Sequence, residues 1–219
     1  MQRCSAILVP ATETSGPDAG RAETTVTAAC PEVAGRIVRV PFSMADRSGV
    51  TARRAASWRA SVEAAVRCFA EGATQVGFAT IGDPSVYSTF SYLAAGVRDR
   101  LPTVEVTVVP GITAMQALAA ASRIPLVEGD EVLALVPLKK GIDRLVEVAG
   151  VVDTCVVYKA GRHLGELRTH LAEGGDEAIA GIDVGLPGQR LAPVSELTKA
   201  PYFTSVLWPA RRSGTGERL

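Results

Sequence analysis

An α/β fold is the expectation for this sequence, and three observations carry it. Strand-like runs recur along the whole chain, at 5–9, 36–40, 76–79, 104–109, 132–137, 154–158, 178–183 and 203–208. Helical patterns lie between most of them, as alternating α/β architecture requires. Several runs are continuously apolar, as strands buried on both faces of a largely parallel sheet are.

Taken in order, the first run is Ser5-Ala6-Ile7-Leu8-Val9, followed by a polar loop over 12–20 rich in turn formers. The clearest helix spans 51–71. Ala55, Trp58, Val62, Ala65, Val66 and Phe69 make one apolar face at helical spacing, and Arg53, Arg54, Arg59, Glu63, Arg67 and Glu71 fill the rest. Strand character returns at 75–79, and a further helix has Phe90, Leu93 and Val97 on one face. Pro110-Gly111 is the best internal boundary, giving a first domain over 1–110 and a second over 111–209. The second half should be mixed, because its last strands come without long helices between them. Gly185-Leu186-Pro187-Gly188-Gln189 either closes over a ligand or forms a plain hairpin, and both readings stand. Residues 210–219 are polar and Gly-rich and are expected to be disordered.

Composition narrows the function classes. The 219 residues carry 23 Lys+Arg against 23 Asp+Glu, so no chain-wide basic field for nucleic acid exists. Aromatic residues are 5 %, which leaves little for base stacking. Cys4, Cys30, Cys68 and Cys155 are scattered without a C-x-x-C, so free thiols are expected and a metal site is not. His163 and His170 fall two turns apart on one predicted helix, and surface roles are expected for both. No apolar run is long enough to span a bilayer, and no basic-then-apolar signal peptide precedes the first strand, which predicts a cytoplasmic location.

The most informative stretch is Thr80-Ile81-Gly82-Asp83-Pro84-Ser85-Val86-Tyr87-Ser88-Thr89-Phe90, where a strand ends and a helix begins. In open α/β folds ligands bind at that place. Gly82 lets a ligand approach the backbone. Asp83 sets a carboxylate at the mouth of the sheet, and Pro84 suits a first helical turn. Gly-Asp-Pro alone is also ordinary turn chemistry. Two further segments strengthen the functional reading: Val109-Pro110-Gly111-Ile112-Thr113-Ala114-Met115-Gln116-Ala117-Leu118-Ala119-Ala120, and Pro125-Leu126-Val127-Glu128-Gly129-Asp130-Glu131.

Together these segments resemble the tetrapyrrole (corrin/porphyrin) methylase family, over most of the chain up to Trp208. The Tyr-Ser-Thr extension is similar to the subgroup that methylates the C-20 bridge of precorrin-2 in cobalamin synthesis. The resemblance implies a two-domain fold, each domain a mixed sheet flanked by helices, with a cofactor cleft between them. It implies S-adenosyl-L-methionine as cofactor, a tetrapyrrole as small-molecule substrate, a homodimer, and neither a nucleic-acid nor a membrane partner. The family's first strand and its Gly-Pro-Gly-Asp loop have no match here. The run at 5–9 is similar to the family's second strand, so in-frame upstream sequence is expected to encode the missing pieces. A truncated, catalytically impaired member and a cobalt-loaded substrate remain alternatives.

The residues agree with that chemistry. A sulfonium methyl donor is already activated, so the protein positions donor and acceptor and excludes water. No metal or catalytic triad is needed, and none is visible. The G-x-G-x-x-G of dinucleotide-type sites is also absent, which calls for another cofactor-binding mode. By resemblance, Ile81, Gly82, Asp83 and Val86 contact the cofactor. Thr113 and Ala114 start a helix whose free N–H groups would hold its carboxylate. Lys159 frames the adenosine and Leu186 closes the other side. Tyr87 and Ser88 would face the substrate and are weak catalytic candidates; first-turn packing is the plain reading of Ser88. Arg123, Lys139, Lys140 and Arg162 are candidates for the substrate's carboxylates, although an ordinary surface charge is the favoured reading of each. Glu128 and Glu131 would orient substrate or block an edge. The general base is unknown.

Overall fold

The computed structural model describes residues 1–12, 19–42, 50–175, 177–201, 203–214 and 216. Most of the expected polar loop over 12–20 lies outside the described residues. The chain forms two compact units, Met1–Gly111 and Ile112–Leu219, each a sheet flanked by helices.

The first unit runs β1 (Ala6–Thr12), α1 (Arg21–Ala29), β2 (Ile37–Phe42), α2 (Ala52–Ala70), β3 (Val76–Phe78) and α3 (Phe90–Arg100). Its sheet has the order β2–β1–β3, all parallel, with Leu8 opposite Val38 on one side and Phe78 on the other. Successive side chains of β1 point to opposite faces. Ile7 and Val9 pack with Val26 and Val33, while Leu8 joins Val62, Ala65, Leu93 and Val97 of α2 and α3. All three β1 residues are almost completely buried, which accounts for the continuous apolar run. Helix α2 begins where expected because Thr51 accepts the Arg54 N–H at 3.2 Å as N-cap. It packs on α3 where Gly96 leaves room: a Cβ there would lie 2.6 Å from Val62. Trp58 stacks on Tyr92 with ring centroids 4.2 Å apart.

Two expectations fail in this unit. The run 104–109 is extended but is not a strand. Val104 and Val106 are half-buried and alternate with exposed Glu105 and Thr107, yet 105–110 makes no backbone hydrogen bond to the backbone of a described residue. A strand is made by pairing, and β-branched composition supplies no partner. Pro84 does not start a helix either. The Asp83 carbonyl accepts the Val86 N–H at 3.2 Å, which makes Pro84 the second residue of a turn. Tyr87, at φ +51°, then interrupts any helical course before Phe90.

The second unit runs α4 (Ala114–Ser122), β4 (Leu133–Pro137), α5 (Asp143–Ala149), β5 (Thr154–Tyr158), α6 (Leu164–Gly174), β6 (Ile179–Ile182), β7 (Arg190–Pro193) and β8 (Thr204–Trp208). Its sheet order is β4–β5–β8–β6–β7. Only β4 and β5 are parallel, so the sheet is mixed, as the missing helices between the last strands implied. Cys155 and Val157 of β5 face Leu145 of α5 and Leu164, Leu167 and Leu171 of α6. Val156 points the other way, with Leu207, onto Leu118 of α4. Strand β7 and helix α1 went unread in the sequence, being short and weakly apolar.

Of the tail expected to be disordered, residues 215 and 217–219 lie outside the described residues; among the described ones, Arg212 is bonded to Glu131. Its guanidinium bridges both oxygens of Glu131, with Nε–Oε1 at 2.7 Å, and the Glu131 side chain is fully shielded from solvent. Glu131 also accepts the Glu128 N–H at 2.9 Å, so this carboxylate is committed to holding the chain. Among the four thiols, Cys155 is buried in the sheet, and burial pushes it up to about 11. At pH 8 roughly one molecule in a thousand then carries that thiolate. Iodoacetamide at pH 8 should therefore label half-buried Cys30 well before Cys155, read by peptide mass spectrometry.

Candidate functional site

In the first unit the strand end after β3 is built around Asp83. Its Oδ1 accepts the Ser85 N–H at 2.8 Å and the Ser85 hydroxyl, and its Oδ2 accepts the Gly111 N–H at 2.8 Å. The Ser85 hydroxyl, then the Gly111 and Ser85 amides, hold its carboxyl below the usual carboxylate range. Asp83 is therefore a brace that ties the end of the extended run to the loop after β3. Gly82, at φ +75°, and Gly111 meet so closely that a Cβ on Gly111 would run into the Gly82 carbonyl oxygen. Only glycine fits at 111. The result is a loop with its backbone at the surface, flanked by Ile81 at 40 % exposure and half-buried Val86. Ser88 is engaged: its Oγ lies 3.2 Å from Thr80 Oγ1 and accepts the Phe90 N–H at 3.2 Å, the first-turn role its plain reading assigns. Tyr87 is exposed, in a left-handed conformation that costs free energy and so marks a constrained position.

In the second unit Thr113 caps α4 through a reciprocal capping box with Gln116. The Thr113 N–H goes to Gln116 Oε1, the Gln116 N–H to Thr113 Oγ1, and the Met115 N–H to the Tyr158 hydroxyl at 2.9 Å. Among the described residues, the N–H groups expected to be free at this helix start thus narrow to that of Ala114. Burial raises the Tyr158 phenol, so it stays protonated at neutral pH. Lys159 follows β5 directly, half-buried, with φ +63°. Leu186 lies in the hairpin between β6 and β7, where its N–H donates to the Asp183 carbonyl at 3.0 Å and Gly185 N–H to Gln189 Oε1 at 2.8 Å. The loop is the turn of the antiparallel β6–β7 hairpin.

The cation candidates divide. Arg123 is exposed and ends α4 in a left-handed conformation at φ +60°. It lies roughly 15 Å along the helix from Thr113. Lys139, Lys140 and Arg162 are exposed and follow the carboxyl ends of neighbouring parallel strands, since Pro137 pairs with Tyr158. His163 joins their two loops. Its Nε2 accepts the Gly141 N–H at 3.2 Å and its Nδ1 lies 2.8 Å from Glu166 Oε1. The sequence predicts surface roles for both histidines. His163 instead stands at the start of α6 with its side chain 20 % exposed, and His170 meets Trp208 edge-on at 5.7 Å. The sequence does not single out Ser85, Gly111, Tyr158, His163 and Glu166 as site residues: Gly111 and Tyr158 act through hydrogen bonds between a backbone amide and a side chain far away in sequence, and the local Asp83–Ser85 and His163–Glu166 pairs carry no motif. Among the described residues no cluster of three His, Cys, Asp or Glu side chains has metal-site geometry, and no helix is long and apolar enough to cross a membrane.

Two sheet units flanked by helices, with loops after strand carboxyl ends, define an α/β protein, and in open α/β folds ligands bind at such loops. The family follows from comparison: the family model for Tetrapyrrole (Corrin/Porphyrin) Methylases matches residues 2–199, and the chain belongs to that family. A Precorrin-2 C(20)-methyltransferase of Sinorhizobium sp is 33 % identical over 156 residues, covering 69 % of this chain and 62 % of that protein. A Probable cobalt-precorrin-2 C(20)-methyltransferase of Methanocaldococcus jannaschii is 39 % identical over 49 % of this chain and 44 % of its own length. The chain thus aligns with less than two thirds of either relative. The fold is shared with uroporphyrin-III C-methyl transferase of Thermus thermophilus, solved with S-adenyl homocysteine. That likeness has a TM-score of 0.58 at 19 % identity, covering 93 % of this chain and 85 % of that one.

Proposed function

We propose that this protein transfers a methyl group from S-adenosyl-L-methionine to C-20 of precorrin-2 in cobalamin biosynthesis. The observation that carries the reading is the identity of 33 % and 39 % to two proteins named for C-20 methylation of precorrin-2 and of its cobalt form. The Gly-Asp-Pro-Ser-Val-Tyr-Ser-Thr-Phe stretch agrees with it. The second relative also favours a specific alternative, the same reaction on a cobalt-loaded ring.

The residues present fit the cofactor. The Gly82–Gly111 contact fixes the backbone of the loop after β3, Gly82 presents no side chain to a ligand, and the Ala114 N–H at the start of α4 would suit an anionic group. By the family resemblance, Ile81, Gly82, Asp83, Val86, Thr113, Ala114, Lys159 and Leu186 are the residues that would hold it. The cofactor supplies an activated methyl group. The nucleophile is the electron-rich bridge carbon of the ring itself. The chain's work is then to orient both reactants and exclude water. Lys139 and Arg162 would receive substrate carboxylates, and Tyr87 and Ser88 would border the ring. A cytoplasmic, homodimeric protein is the accompanying reading.

The test is direct. Purified full-length protein with S-adenosylmethionine and precorrin-2 should yield a product heavier by one methylene unit by mass spectrometry. Tight cofactor binding with no methylation of any tetrapyrrole would reject the enzymatic reading and favour a ligand-binding relative.

A further inference from the structure

We propose that His163 is a positioning residue. It holds the loop carrying Lys139 and Lys140 against the turn carrying Arg162, so that the cations meet a polycarboxylate ligand as one set. The inference rests on the tetrapyrrole reading above and adds to it a residue that the sequence analysis gave only a surface role.

The geometry fixes the histidine's state. The Gly141 N–H can only donate, so Nε2 must carry the lone pair. The proton then sits on Nδ1 and is donated to Glu166 at 2.8 Å. An oriented ring results, with both nitrogens engaged. The backbone of His163 is held as firmly. Its N–H donates to the Ala160 carbonyl at 2.9 Å, and its carbonyl accepts the Leu167 N–H at 2.9 Å. Gly161 seals this turn, since a Cβ there would lie 2.5 Å from the Ala200 carbonyl oxygen. The ring therefore projects from a rigid base.

The loop it reaches is less restrained. Leu138 is anchored, buried and bonded to the Tyr158 carbonyl at 2.8 Å. After it, Lys139 and Lys140 are exposed, and Gly141 turns the chain at φ +94°. The bond to His163 is the tie at the far side of the two lysines. One neutral hydrogen bond of this kind biases a loop about five- to tenfold toward one position. That bias sets how often the loop carrying Lys139 and Lys140 is held at the turn that follows Arg162. An ordered set of cations binds several carboxylates of one rigid ring better than cations that must first be ordered.

Three variants and two probes decide it. Gly141 amide exchange, followed by NMR on the ligand-free protein, reads the tie alone. Binding of uroporphyrin, a stable porphyrin with eight carboxylates, reads the cation set. His163→Ala should speed Gly141 exchange at least fivefold and weaken uroporphyrin binding about tenfold, with S-adenosylmethionine affinity unchanged. His163→Gln, whose Oε1 can accept the same N–H, should restore most of both. Glu166→Gln should give a smaller change in the same direction, because its carbonyl oxygen still accepts from Nδ1. In turnover, the alanine variant should raise KM for the tetrapyrrole and leave kcat within about twofold. Unchanged Gly141 exchange in His163→Ala would overturn the tie. Faster exchange with unchanged uroporphyrin affinity would overturn its purpose, as would a wild-type protein that does not bind uroporphyrin. Binding that behaves as described without methyl transfer would reject the proposed reaction and leave the role of His163 standing.

Discussion

Asp83→Ala should weaken S-adenosylmethionine binding by about tenfold or more, measured by calorimetry on the folded protein. The carboxylate takes hydrogen bonds from the Ser85 amide, the Ser85 hydroxyl and the Gly111 amide, so one side chain closes the loop after β3 onto Gly111. Removing it leaves three donors to find water and lets the loop open. Asp83→Asn is the informative partner. Its amide keeps one acceptor oxygen and loses the charge, so its affinity should fall between the two. The sign with pH follows from the lowered carboxyl. The brace is fully present above the ordinary aspartate value of about 4 and is lost as pH falls through the lower, folded value. Loop opening, read by Gly111 amide exchange, should accordingly begin below about pH 4. Unchanged cofactor affinity in a folded alanine variant would remove Asp83 from the site.

Arg212→Ala should destabilise the second unit by about 3 kcal/mol or more, the usual effect of leaving a buried charge without its partner. Glu131 is fully shielded and Arg212 is 14 % exposed at the side chain, so the orphaned carboxylate cannot recover water without moving the chain. The midpoint of thermal unfolding should drop by roughly 10 °C on the usual relation for chains of this size. The double variant Glu131→Leu with Arg212→Met should recover much of that, because paired burial of charge is replaced by apolar contact. Equal destabilisation in the single and double variants would show that shape, not the uncompensated charge, sets the effect.

The elements that could be read in the sequence are those whose cause is local. Helix α2 carries both its apolar stripe and its Thr51 cap, and β1 and β5 are apolar because both faces are covered. The run at 104–109 shows the opposite case. Its alternation is visible in the half-burial of Val104 and Val106, but strand pairing depends on a neighbour that composition does not reveal. The anchoring of Arg212 by Glu131 spans 81 residues, and a polar, Gly-rich segment gives no hint of it. In the candidate site, Gly82, Asp83 and Gly111 stood out as motif residues. What they do for one another did not, because Asp83 acts on a backbone N–H 28 residues away. His163 is a related case: Glu166 lies one helical turn on, at i+3, but the other partner is the Gly141 amide 22 residues away, which no local spacing announces.

The central claim is methylation at one carbon. Full-length protein incubated with precorrin-2 and methyl-labelled S-adenosylmethionine should give a single product whose labelled methyl, by carbon NMR, sits on the C-20 bridge carbon. Binding should weaken with added salt as the ring's carboxylates are screened from Lys139 and Arg162. A labelled methyl on any other ring carbon would contradict the account while leaving the chain within its family.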